Sequence, residues 1–455
     1  MTGDPFLEAL ARFRASHPGE PAVIDAAGTW SWSDLAGEVG SLAAQLAGLA
    51  GQRAVLFVEQ RASSVALLAA AAAAGVEGIL LPALYGEAYA RELAGEQPLL
   101  AAREGRVKDL KDVKDLKDNQ EKVSSSFESF RSFRSLVPTP VCLLTSGSTG
   151  RPKHARHTWA TLFAAARPAP DFAGRRWQIG YPVVHFAGLQ VLGQCVLSRG
   201  TLVLPGDFDP VSALAALRDH GADYLNCTPT HLRRILLAAS PEELEEVKLR
   251  SITLGGEIVD QHVLDAARAR LPGVRVFHTY GSTEVGALFT VRDHRAGFDP
   301  SLLEDGALRV IEGELHVRRS SRAMLGYVGQ PPPEEWVATG DLVEVSGDRV
   351  HFLGRRSEVI NVGGSKVYPG RVEEVIREVE GVVDVRVTGH RSSIVGSLVK
   401  AVLWVEDGAD GAALREAVRR RCAERLPDPM VPRLFELTAA PELTVSQKAL
   451  RRREA

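Results

Sequence analysis

The first residues whose types could do chemistry form a loop of hydroxyls and glycines. An apolar run from Val141 to Leu144 predicts a short buried strand, and the loop follows it. Pro152 ends the loop and Lys153 adds a positive charge. The loop residues are Thr145, Ser146, Gly147, Ser148, Thr149 and Gly150. Glycines let backbone N–H groups approach a phosphate closely, and hydroxyls supply further donors, so the loop is a candidate phosphate site.

The same loop has a second interpretation. Arg151 and Pro152 separate Gly150 from Lys153, so it is not the P-loop motif, in which glycine and lysine are adjacent. A plain turn between two secondary-structure elements would have a similar Ser/Gly composition. The loop alone therefore does not decide between a turn and a phosphate site, and the rest of the chain has to.

Polar or Gly-rich segments also follow four predicted strands further along the chain. Each strand together with the segment after it spans one of four ranges: Tyr181–Gly188, where we predict that His185 ends the strand, Asp223–Pro229, Ile252–Glu257 and Val274–Glu284. In open α/β sheets, ligands bind at the carboxyl ends of the strands. The four segments are therefore candidates for one site, although a histidine such as His185 on an apolar strand is also common in packed cores.

Alternating strands and helices have to position these segments. From Pro21 to Leu271 apolar runs typical of strands alternate with helical patterns, which predicts an α/β layer architecture. Examples are the strands Pro21–Asp25, Arg53–Val58 and Gly78–Pro82, the helix Ser63–Ala74, and a helix capped by Ser33. We predict a large multi-layer α/β domain over residues 1–356 and a small, mobile α/β domain over residues 357–455, whose pattern is helix, strand, strand, helix.

Composition narrows the class of protein. The 455 residues carry a net charge of −3 with a pI of about 6.5, which argues against binding to nucleic acid or an anionic membrane. The longest Ala-rich run, Val65 to Ala74, is too short to span a bilayer, and the start lacks the pattern of a signal peptide. Four widely spaced cysteines form no CxxC pair, so we expect no zinc site or disulfide framework and a cytoplasmic protein.

Residues 107–135 differ in composition from the rest. The hexamer Val107–Lys-Asp-Leu-Lys-Asp is repeated from Val113, and a Ser/Phe-rich run follows from Ser124. Two copies are too few for a repeat architecture. We predict a charged surface excursion or a poorly ordered linker, with one short amphipathic helix as the alternative.

The order of the motifs resembles the adenylate-forming superfamily, which includes acyl-CoA synthetases, peptide-synthetase adenylation domains and luciferases. The resemblance runs from about residue 21 to the end. It rests on Thr145–Lys153, on Tyr280-Gly-Ser-Thr-Glu284, on Thr339-Gly-Asp341, on Gly354-Arg355, on Leu426–Pro432 and on Lys448. Each motif is weak alone, but six in the family's order leave little room for chance.

The resemblance implies an enzyme that joins a carboxylate to the α-phosphate of ATP, releases pyrophosphate, and passes the acyl group to a thiol. The hydroxyl-rich loop and Lys153 would hold the β- and γ-phosphates. Glu284 would bind Mg²⁺, a hard cation that takes carboxylate and phosphate oxygens. The other implied roles are Thr283 at the α-phosphate, Tyr280 at adenine, Asp341 with Arg355 at the ribose, Gly256 and Glu257 at the nucleotide, and Lys448 bridging the attacking carboxylate and the α-phosphate.

The strand-end segment suggests the substrate class. Relatives that activate amino acids carry an Asp there, whereas Val183–Gly188 is similar to the His-x-x-Gly version of acyl- and aryl-CoA ligases. An uncharged aryl or acyl acid is therefore expected, with His185 also a candidate catalytic residue. The residues predicted to line or flank the acid pocket are His185, Phe186, Gly188, Asn226, Thr228, Gly256 and Ser282.

The thiol acceptor, the effect of two departures from the family's motifs and a non-catalytic alternative stay open. Gly363 and Gly364 resemble the segment past which relatives pass a pantetheine arm, but a hairpin turn would look the same. Coenzyme A is the expected acceptor, and the phosphopantetheine of a separate carrier protein is the alternative. Gln447 replaces the usual Gly before the catalytic lysine, and Ser357 replaces the usual hinge Asp or Lys. A non-catalytic nucleotide-binding or interaction protein on the same fold is the alternative from another class.

Overall fold

The computed structural model describes residues 4–103, 106–110, 139–145, 153–392, 396–405 and 408–438. The chain forms two compact units. The first unit comprises Met1–Gly256, Gly273–Thr290 and Ser320–Pro333, and the second comprises Glu257–Pro272, Val291–Arg319 and Glu334–Ala455. The predicted domain boundary at residues 356/357 falls inside the second unit and stays a prediction.

The helices in the described part of the chain are short to medium in length. They are α1 (Pro5–Ser16), α2 (Trp32–Leu46), α3 (Ala62–Ala74), α4 (Gly86–Ala94), α5 (Trp159–Phe163), α6 (Phe186–Ser198), α7 (Pro210–Asp219), α8 (Pro229–Ala238), α9 (Pro241–Glu245), α10 (Gln261–Arg270), α11 (Ser301–Glu304), α12 (Pro369–Arg377) and α13 (Gly411–Arg425).

The strands alternate with these helices up to α10 and then dominate. They are β1 (Pro21–Asp25), β2 (Gly28–Ser31), β3 (Arg53–Val58), β4 (Glu77–Pro82), β5 (Leu99–Arg103), β6 (Arg106–Asp109), β7 (Val141–Thr145), β8 (Lys153–His157), β9 (Arg176–Ile179), β10 (Thr201–Val203), β11 (Tyr224–Cys227), β12 (Ser251–Leu254), β13 (Arg275–Ser282), β14 (Gly286–Val291), β15 (Leu308–Ile311), β16 (Glu314–Arg318), β17 (Gly326–Tyr327), β18 (Trp336–Ser346), β19 (Arg349–Arg355), β20 (Ile360–Val362), β21 (Ser365–Val367), β22 (Val382–Ser392), β23 (Gly396–Val405) and β24 (Leu434–Thr438).

Two large sheets organise the first unit. The seven-stranded sheet has the order β17-β8-β7-β4-β3-β5-β6, and the eight-stranded sheet has the order β14-β13-β12-β11-β9-β10-β1-β2. In the second sheet β9, β11, β12 and β13 are parallel neighbours. Their carboxyl ends therefore meet at one edge, as the sequence predicts.

The seven-stranded sheet is buried on both faces. Leu56 and Leu80 belong to a large core that also contains α1, α2 and α3, whereas Val55 and Ile79 belong to a second core that includes residues of α4. Successive side chains of a strand point to opposite faces, so unbroken apolar runs such as Ala54–Val58 fit a sheet that is covered on both sides.

The start of α2 corrects one sequence prediction. Ser31, rather than Ser33, caps this helix: its hydroxyl accepts a hydrogen bond from the Asp34 amide, and the Asp34 carboxylate accepts one from the Ser31 amide. This reciprocal capping box fixes the first helical residue at Trp32, which is fully buried.

The segment of biased composition begins inside the sheet. Residues 106–109 form β6, which pairs antiparallel with β5, and Val107 is buried with its amide bonded to the Gln45 side chain. The prediction of a surface excursion is therefore wrong for Val107 to Asp109. Residues 111–135 lie outside the described part, so the linker and amphipathic-helix predictions for them stay predictions.

The second unit contains three smaller sheets. A four-stranded sheet has the order β15-β16-β18-β19, β20 pairs with β21, and β22-β23-β24 form the third. The C-terminal helices and strands match the predicted helix–strand–strand–helix order and share one apolar core. Gly363 and Gly364 form the turn between β20 and β21, and both have positive φ angles, as a two-residue hairpin requires.

Candidate active site

Two strands close the base of the hydroxyl-rich loop. In the antiparallel pair β7–β8, Thr145 lies directly opposite Lys153, so the chain leaves and re-enters the sheet at neighbouring positions. Residues 146–152, including Ser146, Gly147, Ser148, Thr149 and Gly150, lie outside the described part. The structure therefore places the ends of the predicted phosphate loop, and its phosphate contacts stay a prediction.

The side chain of Tyr327 connects the end of this loop to the Thr283–Glu284 turn. Tyr327 on β17 donates a hydrogen bond of 2.8 Å to Oε1 of Glu284, and the Nζ of Lys153 lies 5.1 Å from the centre of the Tyr327 ring. The amide of Met324 donates to the Glu284 carbonyl at 3.1 Å. Lys153 and Glu284, which belong to different predicted motifs, are thus brought together through Tyr327.

Tyr327 keeps its proton at neutral pH. Burial, and then the negative charge of Glu284, raise the pKa of Tyr327 to about 12. The hydroxyl of Thr145 lies close enough to lower this pKa slightly, but its geometry is not that of a hydrogen bond. The phenol is therefore a donor to the Glu284 carboxylate throughout the physiological range.

His157 holds the other side of the same turn. Its Nε2 lies 2.8 Å from the Thr283 carbonyl oxygen, and its Nδ1 lies 3.0 Å from the hydroxyl of Thr161. A carbonyl only accepts, so Nε2 carries the proton in this contact. Burial lowers the pKa of His157 to about 4, against the opposing effects of the Thr283 carbonyl and the Glu284 charge. The imidazole is therefore neutral at neutral pH.

The predicted adenine residue lies at the end of β13. The ring of Tyr280 stacks on that of Phe289, with 5.4 Å between centroids and an interplanar angle of 26°. Ser282 ends β13, and its hydroxyl accepts a hydrogen bond from the Glu284 amide at 3.3 Å. The nucleotide and acid contacts predicted for Tyr280, Ser282 and Thr283 stay predictions, but all three lie within four residues of Glu284.

The Thr339-Gly-Asp341 motif lies in the second unit and is tightly bonded. Asp341 is opposite Arg355 in the β18–β19 pair, and its Oδ1 is 2.8 Å from Nε of Arg355. Arg355 also donates to the Thr339 carbonyl at 2.9 Å. Gly340 has a φ of +77°, which favours glycine, and its amide donates to Glu314 at 2.8 Å. Arg355 therefore orients the carboxylate that is predicted to bind ribose.

His185 lies in a different place from the one predicted. The strand β9 ends at Ile179, and His185 is the residue just before α6. Gly180 follows the strand at once, and a Cβ there would lie 2.6 Å from the ring of buried His231. The chain then turns through Pro182, whose carbonyl accepts from the His185 amide at 3.0 Å. His185 therefore begins a helix rather than ending a strand.

The remaining predicted pocket residues are placed by β11 and the ends of the helices. Asn226 lies on β11, whereas Thr228 is fully buried and its hydroxyl accepts from the His231 amide at the start of α8. Phe186 and Gly188 lie in the first turn of α6. Gly256 has a φ of +84° in the turn after β12. Their contacts with an acid, and those of Gly256 and Glu257 with a nucleotide, stay predictions.

The remaining predicted residues lie either in turns or outside the described part of the chain. Lys448 and Gln447 lie outside the described part of the chain. Ser357 is the middle residue of a short 3₁₀ turn, Arg356–Glu358. Gly363 and Gly364 form the hairpin turn that was the alternative to a thiol-arm contact, and such a turn leaves that contact untested.

Sequence reasoning missed three residues: His157 and Tyr327, which hold the Thr283–Glu284 turn in the first unit, and Glu314, which holds Gly340 in the second unit. His157 lies on the same strand face as Lys153, because residues 153, 155 and 157 alternate with 154 and 156, so its spacing was a usable signal. Tyr327 and Glu314 gave no such signal, because pairing between strands distant in sequence brings each of them to its own partner within its unit. The two tertiary contacts, Tyr327 to Glu284 and Glu314 to Gly340, become visible only in the fold.

In the described ranges, no three His, Cys, Asp or Glu side chains come together in an arrangement that could hold a metal ion. Across those same residues, no helix combines the length and apolarity needed to cross a membrane.

Comparison with known families identifies the chain. The AMP-binding enzyme family matches residues 10–327, and its C-terminal domain matches residues 371–448. The chain belongs to the AMP-binding enzyme family. The matches confirm the predicted superfamily, and they include both Glu284 and Lys448 within the matched ranges.

Several relatives of this AMP-binding enzyme are named as ligases that join an acid to coenzyme A. It is 28% identical over 336 residues to 2-succinylbenzoate–CoA ligase of Bacillus licheniformis, which covers 68% of each chain. It is 30% identical over 345 residues to feruloyl-CoA synthase of an Amycolatopsis species, again covering 68% of each. The o-succinylbenzoate CoA synthetase of Bacillus subtilis, solved with its acyl-adenylate intermediate, matches with a TM-score of 0.72 and 22% identity over 97% of this chain and 96% of that one.

These matches also confirm the predicted α/β fold, with a large N-terminal and a smaller C-terminal part, and the predicted enzyme class of an AMP-forming acid–thiol ligase.

Proposed function

We propose that this enzyme uses ATP to activate a carboxylic acid whose aryl or acyl part is uncharged, and transfers the acyl group to coenzyme A. In the first step a carboxylate oxygen bonds to the α-phosphorus, and the bond to the departing pyrophosphate breaks. In the second step the thiol, losing its proton, bonds to the acyl carbon and AMP leaves. The relatives named above are CoA ligases of aryl acids and support this reaction class.

The contact chain from Lys153 through Tyr327 to Glu284 carries this proposal. Lys153 at the end of the hydroxyl-rich loop and Glu284, the carboxylate assigned to the cation, both contact the ring or hydroxyl of Tyr327. Bringing two anions together requires neutralising groups fixed in advance, because reorganisation during the reaction would cost free energy. In the contact chain, Tyr327 holds the Glu284 carboxylate through a hydrogen bond, and Lys153 lies over the Tyr327 ring.

The nucleotide contacts follow from the predicted roles. We assign the β- and γ-phosphates to Thr145–Gly150 with Lys153, the α-phosphate to Thr283, adenine to Tyr280, and the ribose to Asp341 oriented by Arg355. Gly256 and Glu257 complete the nucleotide set, and Lys448 bridges the attacking carboxylate and the α-phosphate.

Glu284 fits a magnesium ion that is held mainly by phosphates and water. Tyr327 engages Oε1, and a carboxylate has further lone pairs that can bind a cation. Mg²⁺ commonly uses one or two carboxylates together with substrate phosphates, so a dedicated cluster of acidic side chains is not required. When bound, the ion would neutralise phosphate charge, and Tyr327 would hold the Glu284 carboxylate in place.

The predicted pocket favours an acid with a single charge. Its residues are His185, Phe186, Gly188, Asn226, Thr228, Gly256 and Ser282, which include no Asp, Glu, Lys or Arg. An α-ammonium group would find no carboxylate there, and a second carboxylate would find no guanidinium or ammonium partner. Neutral aryl and acyl chains suit such a lining best.

Coenzyme A is the proposed thiol, passing the hairpin at Gly363 and Gly364. The phosphopantetheine of a separate carrier protein presents the same chemical arm and is the competing acceptor. We place the enzyme in the cytoplasm, where ATP and coenzyme A are both available, and its four cysteines are buried and form no disulfide.

An exchange assay tests the first step. The purified protein should catalyse ATP–pyrophosphate exchange with at least one acid from a panel of benzoates, cinnamates, short and medium fatty acids, dicarboxylates and amino acids. Exchange should require Mg²⁺ and favour monocarboxylates. If the whole panel gives no exchange, the non-catalytic alternative replaces this proposal.

Product analysis tests the acceptor. With the preferred acid, mass spectrometry should find acyl-CoA when coenzyme A is supplied, and little thioester when holo-carrier proteins are supplied instead. Efficient carrier loading without acyl-CoA at millimolar coenzyme A would instead identify a stand-alone adenylation enzyme.

A further inference from the structure

The Thr283–Glu284 turn of the first unit is held from outside by one face of a different sheet. On β8, Lys153, Ala155 and His157 point to the same side, because alternate residues of a strand share a face. Tyr327 on β17 lies directly opposite Ala155 and so shares that face. From this face Tyr327 bonds the Glu284 side chain and His157 bonds the Thr283 carbonyl.

The two bonds have different effects on the turn. Tyr327 restrains a flexible side chain, whereas His157 restrains the backbone that carries both Thr283 and Glu284. The imidazole of His157 has no exposed surface, so water does not compete for the Thr283 carbonyl. The hydroxyl of Thr161 engages the opposite ring nitrogen and fixes the ring's orientation.

We propose that His157 is a positioning residue for the nucleotide site. Its Nε2–H holds the Thr283–Glu284 turn against the strand that begins at Lys153, and so sets the distance between the groups assigned to the phosphates and to the cation. The role is that of a neutral hydrogen-bond donor and involves no proton transfer. It deepens the proposed function and rests on it for the identity of the ligand.

A matched pair of substitutions separates the hydrogen bond from the packing. The two variants are His157→Gln and His157→Met. The side chains of glutamine and methionine have nearly the same shape, but only glutamine can donate an N–H to the Thr283 carbonyl. His231 supplies the control, because it is also buried, burial likewise lowers its pKa to about 4, and it packs against Gly180. His231→Met therefore reports the general cost of replacing a buried histidine.

Hydrogen–deuterium exchange of the protein without ligand gives the first readout. In His157→Met, the amides of residues 283–286 should exchange about tenfold faster than in the unsubstituted protein, the factor contributed by one ordinary hydrogen bond. His157→Gln should restore exchange to within about threefold, since its amide replaces the donor. His231→Met should leave this segment unchanged relative to the rest of the chain.

Calorimetric titration with Mg·ATP gives the second readout. His157→Met should weaken binding by about tenfold, and His157→Gln should recover most of the loss. Equal exchange in the Met variant and the unsubstituted protein, equal effects of Met and Gln, or an unchanged Mg·ATP affinity in the Met variant would each overturn the inference. If the unsubstituted protein itself does not bind Mg·ATP, the proposed function fails, while the exchange experiment still decides whether His157 holds the turn.

Discussion

Glu284 is fixed by hydrogen bonds to both its side chain and the neighbouring backbone. Oε1 accepts from Tyr327 at 2.8 Å, and the backbone on either side is held by His157 and Met324. A side chain that is fixed in this way loses little conformational freedom when a cation binds, which favours affinity. The same contacts would also be found around a purely structural glutamate, so the two roles have to be separated by experiment.

Glu284→Gln should lower kcat of acid-dependent ATP–pyrophosphate exchange by about a hundredfold, the scale seen when one charge-stabilising group is removed. The fold should survive, because glutamine keeps an oxygen that accepts the Tyr327 hydrogen bond. Stopped assays at several Mg²⁺ concentrations, with urea denaturation alongside, provide the measurements. The free energy of unfolding should change by no more than about 1 kcal/mol.

Tyr327→Phe is the matched control at this site. It removes the hydrogen bond that Glu284→Gln keeps, and it leaves the charge of Glu284, so kcat should fall by only about threefold to tenfold. Losses of similar size in both variants, or global unfolding of Glu284→Gln, would show that Glu284 acts through structure rather than through its charge.

At the scale of elements, α6 packs closely against the turn that precedes it because Gly188 has no side chain. A Cβ on Gly188 would lie 2.4 Å from the Pro182 carbonyl oxygen and 2.8 Å from that of Val183. Backbone atoms cannot move aside as a flexible side chain can. The small residue predicted to border the acid pocket therefore fixes the position of the helix that begins there.

Gly188→Ala should destabilise the protein by about 1–3 kcal/mol, the usual cost of overpacking, despite the higher helix propensity of alanine. Gly37→Ala on α2 is the control, because it is exposed and nothing lies within 4 Å of its added Cβ. That variant should gain about 0.5–1 kcal/mol. Urea denaturation of both decides the point, and a neutral or stabilising Gly188→Ala would contradict the close packing of α6.

Elements were easier to predict from sequence than the contacts between them. Arg53–Val58 is a strand with the predicted bounds, because its apolar run is buried on both faces of a sheet. His185 was misplaced because Gly180 and Pro182 break the apolar run from Trp177 to Val184 into a strand and a turn. Tyr327 was invisible because its role depends on pairing with β8, which no local pattern encodes.

At the scale of the whole molecule, separate stretches of the chain meet around one buried charge in the second unit. Arg377 on α12 bonds Asp384 on β22 at 2.7 Å and lies 3.4 Å from Asp260 and 3.7 Å from Glu373. Burial alone would lower the pKa of Arg377, but Asp384, Asp260 and Glu373 together raise it above its usual range. The guanidinium is therefore charged, and it joins the segment before α10 to α12 and β22.

Arg377→Met should cost about 3–5 kcal/mol at pH 7, because it leaves buried carboxylates without their partner. Burial penalises the charged form of an unpaired carboxylate, so stability of the variant should fall as pH rises, and its deficit should be smaller at pH 5 than at pH 7. Arg371→Met on the same helix is the control: its pair with Glu344 is half exposed, so the loss should stay within about 1 kcal/mol. Urea midpoints of both variants at the two pH values measure the difference, and equal losses at the two positions, or a deficit independent of pH, would show that Arg377 is not the charge that holds these segments together.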